Sequence, residues 1–452
     1  MTRARVAVVG GGLAGMAAAI ACVERGAEVT LFEARPRLGG ATWSTELQGL
    51  HVDNGQHVFL RCCTEYVRFL ERIGARERTV IQDRLAIPVL TPGLGTTWMR
   101  RIGLPAPLHL GPSLASYKPL SLGERLRLAP AALRLRSIRL GDPDLDRISF
   151  GAWLEAHGQS RRMIERFWDL VTRPTVNLAA AEASLALAAK VFQTGLLTAA
   201  DAADVGYAAV PLAQVHAEPA EALLAKLGAV THKRARVQRI EVSPSGGVTG
   251  LSVAGERIPC DALVLAAPHD DAAKLVPETS GVDPAALGKL GSSPIVNLHT
   301  VWDRRVLAHP FAAAIGSPLE WLFDRTEASG LERGQYLAVS LSAADRWVGR
   351  SSESLREVFE PAFRALLPAA REAVLERFFV TFEPNATFRG GPGTAPLRPR
   401  PVTRTRGLYL AGAWTDTGWP ATMEGAVRSG LSAARAALAG LGHTQGLPEI
   451  AA

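Results

Sequence analysis

Residues 6–40 constrain the fold of this chain more than any other stretch. A short apolar run, Val6-Ala7-Val8-Val9, leads into Gly10-Gly11-Gly12-Leu13-Ala14-Gly15, and Glu33 follows eighteen residues after Gly15. The run predicts a buried strand, 16–25 a helix, and 29–32 a second strand with Glu33 at its C-terminal end. Gly10, Gly12 and Gly15 stand at the G-x-G-x-x-G spacing of a dinucleotide-binding turn. The first glycine permits the tight turn, the second lets the backbone approach a pyrophosphate, and the third lets helix and strand pack closely. The helix N-terminus offers free N–H groups and the positive end of its dipole to the phosphates. Glu33 is placed to accept hydrogen bonds from a ribose diol and to repel the 2′-phosphate of NADP.

At 452 residues the chain exceeds the size at which one core keeps growing, so two domains are expected. No apolar run is long enough to cross a bilayer. Arg3 and Arg5 ahead of an Ala-rich stretch mimic a secretory leader, but glycines and Glu24-Arg25 interrupt it, and the nucleotide-binding reading accounts for the same residues. The expected location is therefore cytoplasmic. Four cysteines without a C-x-x-C pair suggest neither a disulfide framework nor a zinc site, and no metal is expected.

The net charge of +7 is concentrated in one place. Residues 91–140 carry eight basic residues (Arg100, Arg101, Lys118, Arg125, Arg127, Arg134, Arg136, Arg139) against the single acid Glu124. Leucines alternate with them. Basic and apolar residues mixed in this way suit the surface of an anionic membrane; the plainer alternative is an Arg-rich solvated face over a core. Nucleic acid is not expected as a partner.

Further along, 152–176, 181–198 and 217–227 predict helices, and 235–242 with 250–253 a strand pair. Two apolar strands, 261–268 and 407–412, read as members of a buried parallel sheet, and 424–439 as the helix after the second. A nucleotide-binding domain built from 1–87, 206–274 and 401–452 would then be interrupted by 88–205 and 275–400, which form a second domain.

The block Gly10-x-Gly12-x-x-Gly15, followed by Glu33-Ala34-Arg35-Pro36-Arg37-Leu38-Gly39-Gly40, resembles the FAD-binding amine oxidase and phytoene desaturase superfamily. Gly407-Leu408-Tyr409-Leu410-Ala411-Gly412 with Glu424-Gly425-Ala426-Val427-Arg428-Ser429-Gly430 is similar to its second flavin signature. The resemblance implies an α/β chain, with a Rossmann-type FAD-binding domain and a discontinuous α+β substrate domain. It also implies FAD contacts from Gly10, Gly12, Leu13, Ala14, Gly15, Glu33, Ala34, Arg35, Gly39, Gly40, Ala41, Val237, Ala267, Gly412, Asp416, Ala421, Thr422 and Met423. One nucleotide fingerprint leaves no built-in NAD(P)H reductase domain, so an external electron donor is expected. Asp53-Asn54-Gly55-Gln56-His57 with Cys62-Cys63, and the block from Trp414 to Glu424, resemble the hydroxysqualene dehydroxylases within that superfamily. That likeness implies conversion of hydroxysqualene to squalene beside hopanoid synthesis, and the basic, leucine-rich 91–140 segment is then expected to hold the protein peripherally on the inner face of the cytoplasmic membrane. Phytoene-type desaturation is the nearest different activity, with amine or protoporphyrinogen oxidation behind it; a flavin-binding scaffold without catalysis does not need an intact set of flavin blocks.

Replacing an allylic C–OH by C–H requires loss of water and delivery of a hydride, so a general acid is expected near the flavin. Asp53 and His57 are the candidates. Their plainer readings are a turn cap and a satisfied core histidine, while Asn54 and Gln56 would anchor loops. Glu424 reads as a cap of its own helix, and Asp416 as a partner of the flavin or of its own turn. Trp43, Trp414 and Trp419 flank the flavin blocks, where their ring faces would stabilise positive charge along an apolar channel. Phe167, Trp168 and Phe192 are read as core.

Overall fold

The strand Arg5–Val9 forms the middle of a five-stranded parallel sheet in a computed structural model that describes residues 3–443 and Ile450. Across the sheet the order is Val230–Lys233, Glu28–Glu33, Arg5–Val9, Ala262–Leu265, Leu408–Leu410. All neighbours are parallel, and Val6 to Val9 pair in register with both Val29 to Phe32 and Ala262 to Leu265. Period-2 alternation divides the central strand between two cores. Val6 and Val8 pack under the helices Leu13–Val23 and Met423–Gly440, whereas Ala7 and Val9 face the antiparallel strands Val237–Val242 and Val248–Val253. Burial on both faces explains why these strands read as continuous apolar runs. The two helices cross closely: a Cβ built on Gly430 would lie 2.1 Å from the Ala14 carbonyl oxygen. Of the 401–452 segment, residues 444–449, 451 and 452 lie outside the described residues.

A seven-stranded sheet forms a second layer, in the order Leu375–Thr387, Ser293–Trp302, Gln335–Leu341, Trp321–Asp324, Phe311–Ala314, Ala86–Thr91, Gly95–Arg100. It is antiparallel except where Phe311–Ala314 meets Ala86–Thr91. The helix Ser352–Leu366 covers one face through Leu355, Phe359 and Phe363. On the other side, Phe311 and Phe323 join Phe150, Trp168 and Phe192, which supports the core reading of these aromatics. The strand Val205–Ala208 pairs with both Val58–Leu60 and Thr79–Ile81 and stitches the two layers together.

The predicted helix 152–176 is interrupted. Phe150–Ala156 ends at Gly158, which has φ +73°, and the chain restarts at Ser160, whose hydroxyl accepts from the Met163 N–H. The helix expected from 181 begins at Leu185. Residues 91–140 are not one element: they hold a strand, short turns and the helix Leu122–Ser137. Among the described residues, no helix is long and apolar enough to cross a membrane.

Candidate functional site

Three glycine-rich turns meet at the C-terminal edge of the parallel sheet. A Cβ on Gly10 (φ +108°) would lie 2.6 Å from the Ala266 carbonyl oxygen, and one on Gly40 (φ +57°) 2.7 Å from the Gly12 Cα. The Gly39 N–H donates to the Gly11 carbonyl at 2.9 Å, so the two loops lie backbone to backbone. The first N–H groups of the helix Leu13–Val23, which include Leu13, Ala14 and Gly15, have no acceptor within the helix. The third turn is fixed by Gly412, whose N–H donates to the Ser429 hydroxyl at 2.8 Å, and by Trp414, whose indole N–H donates to the Ala267 carbonyl at 3.0 Å.

Glu33 is buried, with one carboxylate oxygen accepting from the Gly11 N–H and the other from the Arg35 N–H, each at 2.7 Å. Each oxygen keeps a further lone pair for a ribose hydroxyl. Ala34 and Arg35 are exposed beyond it. Val237 is buried two residues past Ala235, whose N–H donates to the Glu33 carbonyl at 2.8 Å. Ala41 is exposed, and its carbonyl accepts from Asn54 Nδ2 at 2.8 Å. Arg37 lies 4.0 Å over the Trp43 ring, with a buried Nη1 that has no hydrogen-bond partner among the described residues. Burial, with Arg35 nearby, holds its pKa below the ordinary arginine value. A buried cationic donor without an acceptor, beside backbone turns that any Cβ would fill, fits the pyrophosphate of FAD.

At the other end, Thr422 rather than Glu424 caps the C-terminal helix, its hydroxyl accepting from the Gly425 N–H at 3.1 Å. Glu424 reaches across to cap a different helix, Thr64–Arg72, accepting from the N–H groups of Glu65 (3.2 Å) and Tyr66 (2.7 Å) and from Arg428 at 2.6 Å. Its own-helix reading is thereby corrected: the helix that needed a carboxylate was 359 residues away in sequence. Ala421 and Met423 flank Thr422. Asp416 is exposed, and its backbone N–H donates to the Pro399 carbonyl. The ring faces of Trp43 and Trp419 are already taken by the protein's own cations, Arg37 on the former and Lys190 and Arg428 on the latter. Trp414 instead turns its indole N–H to the Ala267 carbonyl, so the three rings are held by the protein's own groups in different ways.

Asp53 and His57 do come together, in a pocket also lined by Gln56, Val58, Tyr207, Leu212, Pro310, Phe323 and Arg325. Asp53 is buried and accepts from the Ser44 hydroxyl (2.7 Å), the Leu212 N–H (2.9 Å) and Arg325 Nη2 (2.9 Å). His57 Nδ1 stands 3.2 Å from the Gly55 carbonyl, which can only accept, so Nδ1 carries the proton in that contact and Nε2 is the free position. Burial lowers the His57 pKa, against the opposing pull of the Gly55 carbonyl and Asp53. Asn54 ties the 41–43 loop to the strand Ser293–Trp302: Oδ1 accepts from the Trp43 N–H, Nδ2 donates to the Ala41 carbonyl, and its own carbonyl accepts from Asn297 Nδ2 at 2.8 Å.

Two arginines of this site were missed by sequence reasoning. Arg325 donates to Asp53 and to the carbonyls of Ala208 and Val210, joining three separate segments. Arg398 is buried and reaches the carbonyls of Ala413, Trp414, Thr415 and Trp419 and the Thr417 hydroxyl, and burial pushes its pKa down to about 10. For Arg325 no local signal exists. Arg398 shares the Pro- and Gly-rich 390–401 stretch with Arg400, and nothing local singles it out.

Residues 13–438 match the family described as flavin containing amine oxidoreductase. A hydroxysqualene dehydroxylase of Rhodopseudomonas palustris is 30% identical over 443 residues, covering 96% of this chain and 98% of its own. A zeta-carotene desaturase of Synechocystis sp. is 26% identical over 495 residues, with 98% of each chain covered. An oxidoreductase from Methanosarcina mazei superposes with a TM-score of 0.72 at 16% identity, covering 95% of this chain and 99% of its own. A wild-type putrescine oxidase structure gives 0.69 at 17% identity, with 97% and 99% covered. At such identities the two structures speak to the fold alone.

Proposed function

Since the chain belongs to the flavin containing amine oxidoreductase family and is an FAD-dependent oxidoreductase, we propose that it converts hydroxysqualene to squalene by reductive dehydroxylation. The full-length similarity to a hydroxysqualene dehydroxylase carries this reading. FAD, bound and reduced, supplies the hydride that takes the place of the departing hydroxyl. The chain's own residues do the rest. A proton must reach the hydroxyl oxygen, so that the C–O bond breaks with water as the leaving group while the new C–H bond forms. His57 Nε2 is the position from which that proton is delivered, once the imidazole is protonated. Asp53, held by Arg325, Ser44 and Leu212, fixes the loop that bears His57 and favours the imidazolium electrostatically. Val58, Tyr207, Leu212, Pro310 and Phe323 are the apolar side chains beside His57, and packed against the substrate they would keep water from the reacting carbon. Arg37 and the glycine turns bind the cofactor's phosphates, and Glu33 its ribose.

The domain division is proposed at 1–87, 206–274 and 401–452 for the cofactor, and at 88–205 and 275–400 for the substrate. A squalene-type lipid would be drawn from a membrane at its cytoplasmic face, and the electrons would come from an external donor. The second reading, isoprenoid desaturation, is favoured by one observation: neutral His57 presents Nε2 as a proton acceptor.

The test is to photoreduce the holoprotein without oxygen and mix it with hydroxysqualene. Flavin reoxidation with stoichiometric squalene is the expected result. Flavin that stays reduced, while the oxidised protein is bleached by a more saturated isoprenoid, would replace dehydroxylation by desaturation. The pH profile separates the readings too. An acid at His57 gives a rate that falls as pH rises through its depressed pKa, and a base gives the reverse.

A further inference from the structure

The helix Leu122–Ser137 carries two apolar stripes where a surface helix needs one. Leu128, Ala131 and Leu135 are buried in the core beneath it. Leu122, Leu126 and Leu133 are 67%, 69% and 53% exposed. With about 3.6 residues per turn, these three fall within about 40° of one another, nearly opposite the buried stripe. The short helix Gly111–Ala115 packs against this one, and just ahead of it in the chain Leu108 and Leu104 are 62% and 46% exposed.

The charges beside the exposed leucine ridge of Leu122–Ser137 are as one-sided as its exposure. Helical geometry sets Arg127 and Arg134 along one edge and Arg136 along the other, with Arg139 just past the helix end. All four are exposed, and among the described residues none pairs with a carboxylate. The segment's sole acid, Glu124, is spent on the capping box, accepting from the Ser121 N–H (2.8 Å) and hydroxyl (2.9 Å).

We infer that this outer face lies in the interface of an anionic lipid bilayer, with Leu122, Leu126 and Leu133 among the acyl chains and the flanking arginines on the headgroup phosphates. A bilayer meets both requirements at once: apolar depth under the ridge and negative charge along both of its edges. A second copy of this chain does not, because cationic edges on both sides of each ridge would face one another. The purpose of the contact rests on the lipid-substrate reading. The binding itself does not, since it is measured with no substrate present and can succeed where turnover fails, or fail where turnover succeeds.

The experiment is co-sedimentation of the holoprotein with phosphatidylcholine vesicles, with and without about 30 mol% phosphatidylglycerol. Three proteins are compared: the native chain, the triple variant Leu122→Ser, Leu126→Ser, Leu133→Ser, and the triple variant Arg127→Gln, Arg134→Gln, Arg136→Gln. Every substituted side chain is exposed, and retention of bound FAD reports that each variant is folded. The native protein is expected to partition at least about tenfold more strongly to the anionic vesicles. The serine variant should lose at least about tenfold of that binding, and the glutamine variant should lose the preference for anionic lipid. Native protein that stays in the supernatant overturns the inference, as does a serine variant that pellets like the native chain. A concentration-dependent dimer in light scattering, abolished in the serine variant while vesicles are ignored, would assign the face to protein contact and overturn it equally.

Discussion

Replacing Arg325 by Met removes the cation of a buried pair while keeping most of its apolar volume. Arg325 is 8% exposed and Asp53 5%, and their contact is 2.9 Å. Loss of the guanidinium leaves the Asp53 carboxylate with only the Ser44 hydroxyl and the Leu212 N–H, and strips the Ala208 and Val210 carbonyls of a donor. Breaking a buried pair from one side costs about 3–5 kcal/mol. The unfolding entropy, at about 2.1 cal/mol/K per residue, comes to about 1 kcal/mol/K over 452 residues. Arg325→Met should therefore lower the melting temperature by about 3–5 °C, read by calorimetry on the holoprotein. Adding Asp53→Asn removes the stranded charge, so the double variant should melt above the temperature obtained by summing the single shifts, with a coupling of up to about 3 kcal/mol. A melting point within about 1 °C of native for Arg325→Met, or strict additivity in the double variant, would refute the claim that this pair clamps the His57 loop.

Acid should destabilise the fold through two histidines. His216 and His299 are fully buried, and burial pushes each pKa down to about 3. Their unfolded values are about 6.5, so the unfolded chain binds more protons; the contribution is complete above about pH 6.5 and is lost as pH falls toward 3. At about pH 5 each has lost about 2 kcal/mol, together about 4 °C of melting temperature. His299→Gln, facing Tyr336 and Thr381, should remove about half of that acid-induced drop, and an undiminished drop would count against the assignment. At the crossing of the first and last helices, Gly430→Ala forces a methyl to within 2.1 Å of the Ala14 carbonyl oxygen. It should cost about 1–3 kcal/mol and reduce the FAD retained through gel filtration. The control Gly123→Ala, with open space around its Cβ, should retain FAD as the native chain does.

The cofactor end of the site was legible because its signals are local. Gly10, Gly12 and Gly15 are a few residues apart, the strand before them is buried on both faces, and Glu33 ends the next strand. Backbone geometry requires those residue types at that spacing, so the pattern survives in one dimension. The acid at 424 was legible as a cap but not as the cap of a distant helix, because the identity of the recipient is a tertiary fact. Arg325 and Arg398 were invisible for the same reason: each acts on carbonyls contributed by segments far from it in sequence or buried behind it. The break in 152–176 was readable from Gly158 and Ser160, but the apolar period on either side outweighed them. Composition found the basic, leucine-rich stretch at 91–140, yet only the fold separates the leucines that are buried from those that are not.

The place of the strand Leu408–Leu410 and the helix Met423–Gly440 bears on how the protein is made. These elements close one edge of the parallel sheet and cover the first helix, yet they are translated after nearly everything else. Residues 5–33, with their finished glycine turn, leave the ribosome first and wait through some 370 further residues for the strand that completes the sheet. During that interval the apolar face of the first helix, with Ala14, Ala18 and Ala21 on it, has no cover from its native partner. A polypeptide cut short anywhere before 408 lacks Gly412, Thr422 and the Glu424 cap together, so on the proposed site it should keep no flavin, and colour should follow only completion of the last helix.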